Sequence, residues 1–310
     1  MTAPELHYRR MVRLLPRWYR ADREDEMVGA LLDARDGGRL ESGRELLAML
    51  GLGLRARLAA SSAPARVVAF GDTVRLVALL GLLWGVMKGV LAAGYELSAA
   101  ISYPRMLGSH AGPAMAQAAH YFWRDLALVA AVLVPLAFLL AGRRRVARVL
   151  AGAVLVAGFA AFLRRYSFSF SPDLLGYFIP QWLPLLLMVV GFHVGAPLPV
   201  AKKWWLALGA AGASAFYFGF SGETDLRGLS WYAWAAVLII PVYFAFRRRT
   251  AAWSFSIAAC CALVLIQPLV LRATMAAPGF MLIDLLQISL LGSGIVALVV
   301  AGIADYRRVS

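Results

Sequence analysis

The chain has 310 residues, 61% of them hydrophobic and 15% charged, with a formal net charge of +14. Soluble domains average about 25% charged residues, and here the apolar residues come in long runs, so the composition argues against a water-soluble fold and for membrane spans. The positive charge does not point to nucleic acid either, because most arginines sit in the first 66 residues or in short loops between apolar runs, where basic residues set membrane orientation.

The segment MTAPELHYRR lacks the apolar core of a signal peptide, so no cleavage is expected. Residues 1–66 read as a cytoplasmic module of three short helices. The first runs from about Leu6 to Leu15 and stops at Pro16, which cannot continue the hydrogen-bond ladder. The second begins at Asp22 and places Asp22, Glu24, Asp25 and Glu26 at its start, where the helix dipole favours acids; it stops at Gly37–Gly38. The third opens on Ser42-Gly43-Arg44-Glu45, a capping-box spacing, and Leu46, Leu47, Leu50, Leu54 and Leu58 give it one apolar face. A module this small has little core of its own, so it is expected to dock on itself, on cytoplasmic loops or on anionic headgroups. Twelve basic against nine acidic residues make it only mildly basic, and lipid adhesion of the whole module is a weak account of it.

The stretch YRRMVRLLPRWYRADREDEMVGALL resembles the N-terminal prefix of many actinobacterial multipass proteins and, more distantly, permease-prefix and HAAS-type signalling domains. The resemblance is carried by Tyr8-Arg9-Arg10, the Leu14-Leu15-Pro16 break, the pair Trp18–Tyr19 and the acidic run ending in Glu26–Met27. Such prefixes precede permeases or are encoded beside PadR-like transcription regulators. The resemblance therefore implies membrane regulation or transport, and it implies no catalytic residue.

A span needs about 20 apolar residues to cross roughly 30 Å of hydrocarbon. Eight are predicted in residues 67–310, near 74–97, 124–141, 148–163, 175–195, 204–220, 231–246, 252–271 and 280–303. The prefix and the basic loops 143–148, 201–203, 247–249 and 306–308 fall on one side. Arg105, Arg164, Arg165, Arg227 and Arg272 fall on the other, with Glu96, Asp173, Glu223 and Asp225. The positive-inside rule then puts both termini in the cytoplasm of a bacterium whose arginine- and alanine-rich usage suggests a GC-rich genome. AAVLVP at 130–135 is echoed by AAVLIIP at 235–241, each followed by an arginine triplet, which hints at a parallel repeat of 74–195 on 204–303.

Within the spans, Gly81, Gly85, Gly89 and Ala93 recur every four residues and form a small-residue ridge suited to close helix packing. Beside it is Lys88, a cation that costs roughly 2.5–3.5 kcal/mol to insert and normally has a partner. Lys88 lies about 21 Å from the inner surface and Asp284 about 7 Å from the outer one, so both fall in the outer third with Asp125, Glu96 and Arg272. This spacing predicts a Lys88–Asp284 pair, with Asp125 as the alternative acid. The pair either lines an outward polar cavity for a ligand or proton, or merely fixes helix register. Pro180-Gln181 with Pro184, and Gln267-Pro268, interrupt their spans in the manner of helices that line transport sites. His193 reads as a hydrogen-bonded interface residue, and Trp123, Trp204, Trp205, Trp231 and Trp234 as interfacial aromatics.

His120 and Asp125 have the His-x4-Asp spacing of acyltransferases, but no soluble acyltransferase domain accompanies them. Cys260 and Cys261 are neighbours without metal-ligand spacing and read as inert thiols. No P-loop, HExxH, GxSxG or aspartate-rich diphosphate loop occurs, so neither an enzyme nor a cofactor or metal is expected. The resulting expectation is an all-α polytopic protein, transport-related as a permease-like subunit or carrier, whose partner is the bilayer rather than nucleic acid. The alternative is a regulatory scaffold signalling through residues 1–66 to an ATPase or a transcription regulator.

Overall fold

The computed structural model describes residues 3–21, 23–36, 42–58, 65–108, 111–166, 172–193, 195–220, 250–274 and 281–309. Every regular element among them is a helix, and there is no strand among the described residues. The predicted span at 231–246, with Trp231, Trp234, Arg227, Glu223 and Asp225, lies outside the described residues.

The prefix folds as α1 (Ala3–Val12), the single turn α2 (Arg17–Arg20), α3 (Glu24–Asp36) and α4 (Ser42–Arg57). After α1 the chain tightens, Leu15 donating to the Val12 carbonyl, and Pro16 then blocks a further turn. The reading of two helices between Leu6 and Gly37 is thus refined: α2 is a separate turn ahead of α3. Tyr8, Met11, Val12, Leu15, Val28 and Met49 form a small core where α1, α3 and α4 meet. Removing those side chains from water supplies about 1.5–3 kcal/mol for each large one. Gly53 lets α4 approach the Leu14 carbonyl closely, and Arg57 donates to that same carbonyl at 3.1 Å.

The leucine stripe predicted as the apolar face of α4 does not enter this core, so of the docking modes expected for the module, packing on itself does not use this face. Leu46, Leu47, Leu50 and Leu54 are exposed, and only Leu58 of that set is buried. Met49, Gly53 and Ala56 turn inward instead, because a small residue at Gly53 is what permits close approach to the turn that follows α1.

Residues 65–309 supply α5 (Ala65–Leu107), α6 (Ala111–Leu140), α7 (Arg144–Tyr166), α8 (Pro172–Gly191), α9 (Ala201–Phe220), α10 (Ala251–Thr274) and α11 (Met281–Val309). Among the described residues three helices are long and apolar enough to cross a membrane: Val67–Leu107, Gly112–Leu140 and Arg144–Arg164. Gln181–Gly191 and Ala251–Leu263 are shorter apolar helices. Such helices suit a membrane protein. The faces of α7, α9 and α11 that carry Val149, Val156, Leu206, Val296 and Val300 are open, as lipid-facing surfaces are.

Helix α5 is the axis, packing against α6, α8, α9 and α10. Between lipid-exposed helices there is little hydrophobic drive, so close packing of small residues does the holding. Gly85 meets Val132 and Gly89 meets Val129, which sets α6 antiparallel to α5. Gly81 accepts Pro184, and Gly191 lies by Val74 and Arg75, so α8 is antiparallel as well. Gly94 and Gly219 bring the α5 and α9 backbones together side by side. Trp182 of α8 lies over Gly158 of α7, and Phe255 of α10 over Gly302 of α11.

Side-chain hydrogen bonds add a second set of links. Arg148 of α7 donates to the Val189 carbonyl at 2.9 Å, satisfying an acceptor in the last turn of α8 that has no helical donor. The single hydroxyl proton of Ser256 on α10 is shared between the Thr73 carbonyl of α5, 3.1 Å away, and the Ala252 carbonyl of its own helix.

Candidate functional site

The start of α5, the end of α8, the starts of α9 and α10 and the end of α11 converge at one end of the bundle. This is the basic end: Arg143, Arg144 and Arg145 precede or open α7, Lys202 and Lys203 open α9, and Arg307 and Arg308 close α11. Its loop after α8 is held by Gly195, whose N–H donates to Nδ1 of the buried His193 at 3.2 Å. Leu198 then reaches Gly142 at the α6–α7 turn, where φ is +82° and glycine is the residue that adopts it without strain.

These ends line a half-open cavity of about 830 Å³. Its walls are mainly apolar and aromatic: Leu76, Leu79, Phe192, Trp204 and Trp253. Four charged side chains interrupt them. Arg75 is 5% exposed and bonds the Asp72 carboxylate through Nη2 and the Leu58 carbonyl through Nη1 at 3.3 Å. Arg308 stands 3.8 Å from Asp305 in a much more open pair. An apolar chamber with a few fixed polar groups is the usual form of a small-molecule site. Because Leu58 belongs to the prefix and Gly71 beneath it leaves no room for a side chain, the same guanidinium that lines the cavity also clasps the prefix.

Of the residues singled out in the sequence, Trp204 lines this cavity, while the small-residue ridge and the candidate polar site lie elsewhere. Gly81, Gly85 and Gly89 face Pro184, Val132 and Val129, and Ala93 is buried. Asp125 on α6 is 5% exposed and accepts two bonds from Arg124, at 3.0 and 2.9 Å. That guanidinium also stacks over the Tyr121 ring at 4.6 Å. Lys88 is exposed on α5 and within electrostatic range of Asp125, which also interacts with Glu96. Lys88, Glu96, Arg124 and Asp125 therefore share one charge cluster. The side chain of Asp284 lies outside the described residues, as do those of Pro180, Gln267, Pro268 and Arg272. Gln181 is half-buried and Pro184 fully buried. His120 is exposed while Asp125 is engaged by Arg124, so their His-x4-Asp spacing makes no dyad. Among the described residues no cluster of three metal-ligating side chains occurs.

Sequence reasoning missed Asp72, Arg75 and the cavity. The available signal was an acid and an arginine one turn apart at the mouth of the first apolar run, a pattern also typical of a surface anchor. The chain matches no family model, no curated protein and no solved structure.

Proposed function

We propose that the chain is a multipass protein of a bacterial plasma membrane, with eight spans and both termini in the cytoplasm, that takes part in transport as a carrier or permease-like subunit. The observation that carries this reading is the 830 Å³ cavity at the basic end of the bundle, large enough for a small solute and lined by apolar walls with a few charged groups. The positive-inside rule assigns that end to the cytoplasm. Helix α5 begins and α11 ends at the same cavity, which supports an even number of crossings. Helix α9 ends beside Gly94, at the level opposite the cavity, whereas Thr250 and Ala251 lie at the cavity. The sixth span predicted at 231–246 lies outside the described residues. The cluster of Lys88, Glu96 and Asp125, with Asp284 as the further acid, is the candidate outer site for a polar ligand or proton.

A second reading has an observation of its own. The bond from Arg75 to the Leu58 carbonyl links a cavity wall to the prefix, so a ligand in the cavity could alter what residues 1–66 present to an ATPase or a transcription regulator.

The test is a thermal-shift screen of the purified chain, in detergent, against amphipathic anions, cations and zwitterions, repeated with Trp253→Ala. A ligand near 100 times its Kd stabilises by about 2.7 kcal/mol. Stabilisation lost in the variant, followed by counterflow of that ligand in proteoliposomes, supports the carrier. Binding without flux moves the balance to the regulatory reading. Ligands that stabilise both forms equally, or none that stabilises either, remove the cavity as the functional site.

A further inference from the structure

The prefix holds one feature that neither its own core nor the transport reading uses. On α4 the exposed residues Leu46, Leu47, Leu50 and Leu54 form a continuous apolar stripe, with Leu47 69% exposed. A leucine stripe left open in a folded module marks a surface made for a partner.

The position of α4 identifies that partner. Its end is fixed in height, because the Leu58 carbonyl rests on Gly71 and is held by Arg75. Arg75 shares one cavity with Trp204, Trp253 and Arg308, which stand at the start of α9, the start of α10 and the end of α11. Leu58 therefore lies at the level where three other helices enter or leave the apolar layer, which is the membrane surface at the basic end. Phe70, 56% exposed, belongs to the same level.

Charge points the same way. The prefix as a whole is nearly balanced, but its acids gather on the first turn of α3, at Glu24, Asp25 and Glu26. Helix α4 carries Arg44, Arg55 and Arg57 against the single acid Glu45. Arginines near an anionic leaflet are attracted to it, and the apolar face of a basic amphipathic helix settles about 5–10 Å into the headgroup boundary.

We infer that α4 is an interfacial helix whose Leu46, Leu47, Leu50 and Leu54 face rests in the anionic lipid surface at the basic end of the bundle. The module is then held from two sides: Arg75 grips the Leu58 carbonyl and the lipid takes the leucine stripe. This inference rests on the membrane orientation of the basic end and is independent of transport.

The experiment uses the full chain with Cys260→Ala and Cys261→Ala, reconstituted in nanodiscs of phosphatidylcholine and phosphatidylglycerol. Leu47→Cys or Leu50→Cys carries an environment-sensitive fluorophore, and Ala30→Cys on α3 serves as the water-exposed control. With lipids brominated on the acyl chains, quenching at positions 47 and 50 should exceed that at position 30 by about twofold or more, as expected for a helix in the headgroup boundary. The difference should shrink when phosphatidylglycerol is omitted. Apolar emission without quenching would mean that protein, such as a second copy, covers the face, and would overturn the inference. Water-like emission at both positions would overturn it as well. As a check free of labels, Leu47→Asp with Leu50→Asp alters only exposed positions, so the prefix should still fold. Trypsin should cut the prefix faster in that variant than in the parent when lipid is present, and at equal rates in detergent; equal rates in both would count against lipid docking.

Discussion

The Arg75 guanidinium donates to the Leu58 carbonyl across 3.3 Å while its other terminal nitrogen holds Asp72. One buried cation thus joins the prefix to the bundle and lines the cavity as well. A hydrogen bond made by a charged group contributes about 1.5–3 kcal/mol, so Arg75→Met should lower the melting temperature by several degrees. It should also speed tryptic cleavage around residues 58–66. Arg75→Lys should recover only part of this, because an ammonium cannot span two acceptors as the planar fork does. Equal protease resistance in Arg75→Met and the parent would rule out the clasp.

Gly94 and Gly219 bring the backbones of α5 and α9 close together. A Cβ on Gly94 would meet the Phe216 carbonyl at 3.1 Å, and one on Gly219 would run into the Leu91 carbonyl. Backbone atoms cannot swing aside, so overpacking costs about 1–3 kcal/mol or more. Gly219→Val should destabilise the chain strongly, whereas Gly209→Ala on the same helix, with nothing within 4 Å, should be neutral or better. Thermal melts of the two variants in one detergent decide this.

Ser256 is fully buried between α10 and α5. Interhelical hydrogen bonds in membranes average about 0.6 kcal/mol, so Ser256→Ala should cost under about 1 kcal/mol. Ser256→Leu, which overfills the same site, should cost about 1–3 kcal/mol. If the alanine variant proved the worse of the two in melting experiments, the hydroxyl would be the main link rather than the fit.

In the outer cluster, Asp125 is buried and doubly bonded to Arg124, while Lys88 is exposed. Loss of Asp125 should therefore harm stability more than loss of Lys88, by about 1–3 kcal/mol for the buried carboxylate. If the cluster carries a proton or ligand, Asp284→Leu should abolish flux at normal protein yield. Recovery of flux in the double variant Lys88→Met with Asp284→Leu would reduce the charges to a device for helix register.

Much of this architecture follows from short-range pattern. Apolar runs mark the helices of the bundle, and Pro16 and the acids of α3 mark the breaks within the prefix. The four-residue spacing of Gly81, Gly85 and Gly89 named the residues without naming Pro184, Val132 and Val129 as what they meet. The cavity was not legible, because its walls come from segments near 68–79, 192–204, 250–253 and 305–308 that no local period connects. Gly219 stood out no more than any other small residue in a helix that also holds Gly209 and Gly212. The leucines of α4 were visible as a stripe, but periodicity gives the angular position of a face and not what lies opposite it.

Helix α5 has 43 residues and so measures about 65 Å, roughly twice the thickness of a hydrocarbon layer. In the proposed orientation, with Arg75 at one surface, about 20 residues would reach the other, near Tyr95 and Glu96. The final turns to Leu107 would then stand clear of the lipid by about 18 Å. Their summit at Gly108, with φ of +53° and nothing within 4 Å of an added side chain, is the natural place to graft an epitope or a fiducial domain. A rigid handle there would make a 33.6 kDa chain visible to particle alignment in electron cryomicroscopy.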